Sequence, residues 1–134
     1  MKQSHVLKLA CEPLPIVRIG FIGLGNRGMA TLRRYLVIDG VEIVALCDIH
    51  RAHLDEASAV IAADGKYTPC LLNAQDGWKQ MCQRDDIDLI YICTDWLTHA
   101  PMACYAMEQG KHVAIEVPAA TTVEECWQLV DTAE

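Results

Sequence analysis

No stretch of the chain reaches the roughly 18 consecutive apolar residues that a membrane-crossing helix requires. There is also no lysine/arginine cluster, and the formal net charge is −7. Both facts argue against nucleic acid and anionic membranes as partners. The seven cysteines are odd in number and form no C-x-x-C pair, so neither a disulfide framework nor a zinc site is expected. Cys47 and Cys93 stand inside apolar runs, where cysteine behaves as a small hydrophobe. This usage fits a reducing cytoplasm. Leu9-Ala-Cys11 faintly resembles a lipoprotein cleavage box, but Lys2, His5 and Lys8 interrupt the segment before it, and a leader needs an apolar core. A secreted or periplasmic location stays open should a signal peptide have been removed.

What is present is 52% hydrophobic and 22% charged over 134 residues, enough for one domain with its own core. The chain is organised around Val17-Arg-Ile-Gly-Phe-Ile-Gly-Leu-Gly-Asn-Arg-Gly28, which reads as strand, tight turn and helix start. Gly23, Gly25 and Gly28 fit G-x-G-x-x-G. The first allows a sharp turn, the second a close approach of pyrophosphate to the backbone, the third close helix–sheet packing. The free N–H groups and positive dipole end of the following helix complete an anion site. A strand, Val41 to Cys47, then leads to Asp48, 20 residues past Gly28. At that spacing a carboxylate reaches the ribose hydroxyls of a dinucleotide. A turn without a ligand is the alternative.

Residues 1–16, with Pro13 and Pro15, are expected to form an extended lead-in, and residues 17–134 an NAD(P)-binding Rossmann domain. Strands are expected at 17–22, 42–47, 89–94 and 112–116, with at most a short edge strand within 66–72. Helices are expected at about 26–38, 51–63, 77–82, 101–109 and from about 122 onward. Asp76 is expected to cap the third helix. Thr121 and Thr122, three residues ahead of Glu124 and Glu125, offer capping boxes for the last. Asp85, Asp86 and Asp88 read as solvated turn residues rather than a cation site. Alternating strands and helices predict an α/β fold, a doubly wound parallel sheet of order 3-2-1-4-5.

These motifs resemble a known family. The glycine turn, Asp48, the step from Thr94 to His99, and Gly110-Lys-His-Val113 leading to Glu116-x-Pro118 are similar to the N-terminal domain of the Gfo/Idh/MocA oxidoreductases. That family typically carries Glu-Lys-Pro where this chain has Glu116-Val117-Pro118. Its lysine helps a sugar hydroxyl lose its proton. A narrower resemblance is to the NAD-dependent α-N-acetylgalactosaminidase branch of glycoside hydrolases. It rests on Gly-Asn-Arg-Gly at 25–28, Thr94-Asp-Trp-Leu-Thr-His99, Glu116-Val-Pro-Ala-Ala120 and Glu125-Cys-Trp127.

The resemblance implies an enzyme that retains NAD. Oxidation at sugar C3 acidifies the C2 hydrogen, the aglycone is eliminated, water adds, and C3 is re-reduced. It implies that Asn26 and Arg27 contact the pyrophosphate side of NAD and Asp48 the ribose. Thr94, Trp96, Leu97, Thr98, His99, Glu116 and Val117 would line the nicotinamide half. The sugar contacts and catalytic acid and base are expected in a second domain outside this chain, with a homo-oligomer as the assembly. An ordinary sugar dehydrogenase and a catalytically silent NAD-binding module remain the alternatives.

Each site residue also has a plainer reading. Arg27 is a solvated cation, against the dipole. Trp96 packs under a loop. His99 merely leads into a helix. Glu116 ends a buried strand, where an unpaired carboxylate is costly, so a partner, cofactor or backbone, is expected. His50, His53 and His112 read as surface or cap residues, and Trp78 and Trp127 as core or domain contacts.

Overall fold

The computed structural model describes residues 6–134. Residues 1–5 of the expected lead-in lie outside the described residues. The chain from Val6 makes a 3-10 turn (Val6–Lys8) and then runs without regular structure to the first strand. Five parallel strands follow: β1 (Val17–Ile22), β2 (Val41–Cys47), β3 (Cys70–Leu72), β4 (Leu89–Ile92) and β5 (His112–Ile115). Their order across the sheet is β3-β2-β1-β4-β5. The helices between and after them are α1 (Asn26–Tyr35), α2 (Arg51–Asp64), α3 (Gly77–Cys82), α4 (His99–Glu108) and α5 (Val123–Ala133).

The sheet is apolar on both faces because helices cover both, as central parallel strands require. Phe21, Ile19, Ile43, Leu46 and Tyr91 face one layer with Leu32, Leu54 and Ile61. Ile22, Ala45, Ile90 and Ile92 face the other with Met81, Ala103 and Ala106. The strand order reverses between β1 and β4, where open α/β sheets bind ligands beyond the carboxyl ends of the strands.

Several expected boundaries move. Helix α1 stops at Tyr35 and not Ile38; Leu36 N–H bonds Leu32 O, and two turn bonds carry the chain to Gly40 at φ 76°. Strands β4 and β5 end two and one residues early, as the chain leaves the sheet toward the carboxyl-edge loops. Helix α4 starts at His99, two residues before Pro101; proline is tolerated in a first turn, where its missing N–H is an orphan anyway. Asp76 sits at the α3 N-cap, but its side chain accepts no capping bond. Thr122 does cap α5, accepting from Glu125 N–H at 3.1 Å, and the Glu125 carboxylate accepts from Thr121 N–H at 2.7 Å. The aspartate run is not simply solvated. Asp88 takes a two-pronged bond from the Arg18 guanidinium and also accepts the Arg18 backbone N–H, while Asp86 pairs with Arg84. Among the described residues no helix is long and apolar enough to cross a membrane.

Candidate functional site

The glycine turn joins β1 to α1 at the switch point. Gly23 has φ 90°, and a Cβ there would lie 2.1 Å from the Cys93 carbonyl oxygen. A Cβ on Gly28 would lie 2.2 Å from the Gly23 carbonyl oxygen. Both glycines are therefore demanded by contact with backbone. Gly25 differs: a Cβ there would meet nothing within 4 Å, because its backbone faces an open cleft. Gly25 is also the N-cap of α1, which has no side-chain cap and no acidic residue in its first turn. Its leading N–H groups are thus presented to whatever occupies the cleft. This bare cradle, with nothing to block a close approach, fits a dinucleotide diphosphate.

The cleft is a cavity of about 420 Å³. Gly23, Gly25 and Asp48 line its middle; Ile49, His50, Ala74, Gln75 and Trp78 line one end; Thr94, Asp95, Thr98, Pro101 and Met102 line the other. Asn26 and Gly25 line a second cavity of about 200 Å³ on the α1 and α2 side of the turn, with Arg33, His53 and Glu56.

Asp48 is 8% exposed and tied on both oxygens. Oδ2 accepts from Leu24 N–H at 2.8 Å and lies 3.0 Å from His53 Nδ1; Oδ1 accepts from His50 N–H at 2.7 Å. A carboxylate has about four acceptor positions, so one remains for a ligand hydroxyl. Asn73 secures the same loop by donating to the Asp48 and Ile49 carbonyls.

At the other end, Arg27 Nε donates to Glu116 Oε1 at 3.0 Å, and Tyr91 Oη donates to the same oxygen at 2.7 Å. The Tyr91 hydroxyl and the Arg27 guanidinium together hold the Glu116 carboxyl below the usual range. Burial pushes the Tyr91 phenol up. Burial also raises the two cleft thiols, Cys47 to about 12 with help from the Asp48 charge, and Cys93 with help from Glu116. Neither therefore offers a thiolate near neutrality.

His99 is 1% exposed. Its Nε2 accepts from Thr94 N–H at 3.1 Å, and its Nδ1 lies 2.8 Å from the Pro118 carbonyl. Those partners fix the neutral tautomer with the proton on Nδ1. The Thr94 hydroxyl meets that of Thr98 at 2.7 Å.

The structure thus brings Gly23, Gly25, Asp48, Thr94 and Thr98 to one cleft, and Arg27 to Glu116 beside it. His99 sits behind the cleft. Trp96 (65% exposed), Leu97 and Val117 (82% exposed) stand on the surface, off the cleft lining. Trp127 is exposed rather than core, and Trp78 lines the cleft. Sequence reasoning missed Tyr91 and the His53–Asp48 contact. The partners of the Glu116 carboxylate prove to be the Tyr91 and Arg27 side chains together with the Val117 backbone.

The model of the oxidoreductase family with an NAD-binding Rossmann fold, GFO_IDH_MocA, matches residues 17–134. The chain is 65% identical over 132 residues to an alpha-N-acetylgalactosaminidase of Bacteroides fragilis, a match covering 98% of this chain and 31% of that protein. It is 50% identical over 134 residues to a glycosyl hydrolase family 109 protein of Phocaeicola vulgatus, covering 100% and 32%. Among solved structures it resembles a myo-inositol dehydrogenase from Lactobacillus casei in complex with NAD(H) and myo-inositol. That match has 26% identity and a TM-score of 0.77, covering 87% of this chain and 33% of the other. The chain spans about a third of the length of the curated relatives it matches. With the parallel order, the bare glycine cradle and the carboxylate at the end of β2, these matches place the chain in the Gfo/Idh/MocA oxidoreductase family, as its NAD-binding Rossmann domain.

Proposed function

We propose that this chain is the cofactor half of an NAD-retaining glycosidase acting on an α-N-acetylgalactosaminide. The observation that carries the reading is Val117. The family's usual Glu-Lys-Pro has a lysine at this position, and hydride removal from a sugar needs a proton acceptor within hydrogen-bond reach of the hydroxyl. Valine cannot be that acceptor. The neighbouring groups are committed as well: His99 by both ring nitrogens, Glu116 by Tyr91 and Arg27. The acid and base would then come from the rest of the protein. The relatives' names support the same reading.

NAD, when bound, supplies a reversible hydride acceptor. This chain's own residues bind and orient it. Gly23, Gly25, Asn26, Gly28 and the α1 N–H groups receive the diphosphate, with Arg27 beside them. The free position on Asp48 takes a ribose hydroxyl. Thr94 and Thr98 shape the nicotinamide end, His99 and Glu116 hold the loops around it, and the exposed Trp96, Leu97 and Val117 form its outer rim, Val117 as a dry wall. The exposed apolar residues Val123 and Trp127 of α5 support a homo-oligomeric assembly, and the cysteine usage supports a cytoplasmic setting.

The test is cleavage of a nitrophenyl α-N-acetylgalactosaminide by the intact protein. It should proceed without net NADH, and a C2 deuterium should exchange with solvent during turnover. Stoichiometric NADH with the glycosidic bond intact would overturn the glycosidase in favour of a dehydrogenase, and absence of any turnover would favour a silent NAD-binding module.

A further inference from the structure

We propose that Tyr91 is a positioning residue which, through Glu116, aims the Arg27 guanidinium at the diphosphate of the bound dinucleotide. The proposal rests on the reading of Arg27 given above and adds the device that makes it work. Arg27 lies in the first turn of α1, where a cation opposes the helix dipole unless an anion is near. Its side chain is 60% exposed, and a free arginine there would sample many rotamers. The bond from Nε to Glu116 takes one edge of the planar fork. Among the described residues the terminal guanidinium nitrogens make no other hydrogen bond, so they remain for a second anion.

Glu116 is a good anchor only if it is itself fixed. It stands just past the end of β5, and its Oε1 is gripped by Tyr91. Tyr91 is 4% exposed and packed between Phe21 and Tyr35, with ring centroids 4.8 and 6.0 Å away. A phenol has one proton. Spent on the carboxylate at 2.7 Å, it leaves the Thr31 hydroxyl, 3.0 Å away, to donate to Tyr91. The order is therefore Thr31 to Tyr91 to Glu116, with Arg27 closing the chain from α1. Three elements meet here, and the last link points out of the core at the anion site.

Tyr91→Phe leaves every charge in place and removes only the aim. NAD, ADP and adenosine binding are measured by calorimetry on intact, nucleotide-free protein carrying Tyr91→Phe, Arg27→Ala or both. Tyr91→Phe should weaken NAD and ADP about fivefold or more, the scale of one charge-assisted hydrogen bond, and leave adenosine unchanged. Arg27→Ala should do at least as much, and the double variant no more than Arg27→Ala alone. Adenosine binding reports a folded domain. Should Tyr91→Phe fail that control, Thr31→Val carries the same prediction at about two- to threefold. If Arg27→Ala weakens ADP but the ADP-to-adenosine ratio is unmoved by the Tyr91 or Thr31 change, the positioning role is overturned and the Arg27 reading stands. Should Arg27→Ala leave ADP affinity unchanged, both fall.

Discussion

His99 joins two loops by donating from Nδ1 to the carbonyl of Pro118 at 2.8 Å while its Nε2 takes the Thr94 amide. The loop after β4 and the turn after β5 are thereby held at a fixed separation. Replacing His99 with phenylalanine keeps much of the volume and leaves a half-buried N–H and C=O without partners. A loss of roughly 2–6 kcal/mol in stability is expected, at about 1–3 kcal/mol for each unsatisfied group. Urea unfolding checks it; a loss under 0.5 kcal/mol would remove the latch.

The glycines separate folding from binding. Gly23→Ala and Gly28→Ala force a Cβ into backbone at 2.1 and 2.2 Å and should prevent stable folding. Gly25→Ala meets nothing in the protein and should cost stability no more than about 1 kcal/mol, the scale of an N-cap change. The added methyl stands where the diphosphate approaches, so NAD affinity should fall at least about tenfold, a change of 1.4 kcal/mol. Thermal melts and NAD titration on the same samples distinguish the two effects.

Asp48 governs cofactor choice. A 2′-phosphate brought against its carboxylate is a like-charge contact that costs several kcal/mol, so NAD should bind at least about tenfold tighter than NADP. Asp48→Asn should relax that preference. It should also cost stability, about 1–3 kcal/mol, because an amide nitrogen cannot accept the Leu24 or His50 N–H now bonded to carboxylate oxygens. Equal NAD and NADP affinities in the unaltered protein would remove Asp48 from this role.

Acid should unfold the domain partly through Asp88 and Glu116. The Arg18 guanidinium lowers the carboxyl of Asp88, and Tyr91 and Arg27 lower that of Glu116. A depressed carboxyl stabilises the fold at any pH above its unfolded value, near 4, and that contribution drains away as pH falls through the folded value. Stability should therefore be insensitive to these two groups above about pH 5 and decline below about pH 4. Asp88→Asn should lower stability at pH 7 and flatten the acid decline. An unchanged slope in denaturation midpoints between pH 5 and 3 would contradict the assignment.

The architecture was legible because its signals are local. The glycine turn, the apolar runs of β1, β2 and β4, and Gly65 as the left-handed cap of α2 (φ 73°) each declare themselves within a few residues. Helix ends were less legible: Leu36 keeps its helical spacing from Met29 and Leu32 after α1 has stopped at Tyr35, so periodicity does not mark the end. The site was legible in its backbone parts and opaque in its side-chain pairs. Arg27 and Glu116 are 89 positions apart and Tyr91 and Thr31 are 60 apart, and no spacing rule links residues that only the sheet order makes neighbours. Trp96 looked like a cleft residue because of its place after β4, but the loop turns it outward. Trp78 lines the cleft from a short helix whose six residues give little periodic signal.

The contact of Gly23 with Cys93 has a mechanical consequence. The Gly23 N–H bonds the Cys47 carbonyl and the Cys93 N–H bonds the Ile22 carbonyl, so the turn is sewn into the seam between the two halves of the sheet. Parting β1 from β4 would dismantle the nucleotide seat in the same motion. A ligand that binds only the assembled seat must raise the cost of opening that seam. Bound nucleotide should therefore slow hydrogen exchange at the Gly23 and Cys93 amides more than at amides of α5, making the cofactor a clamp on the sheet as well as a reagent.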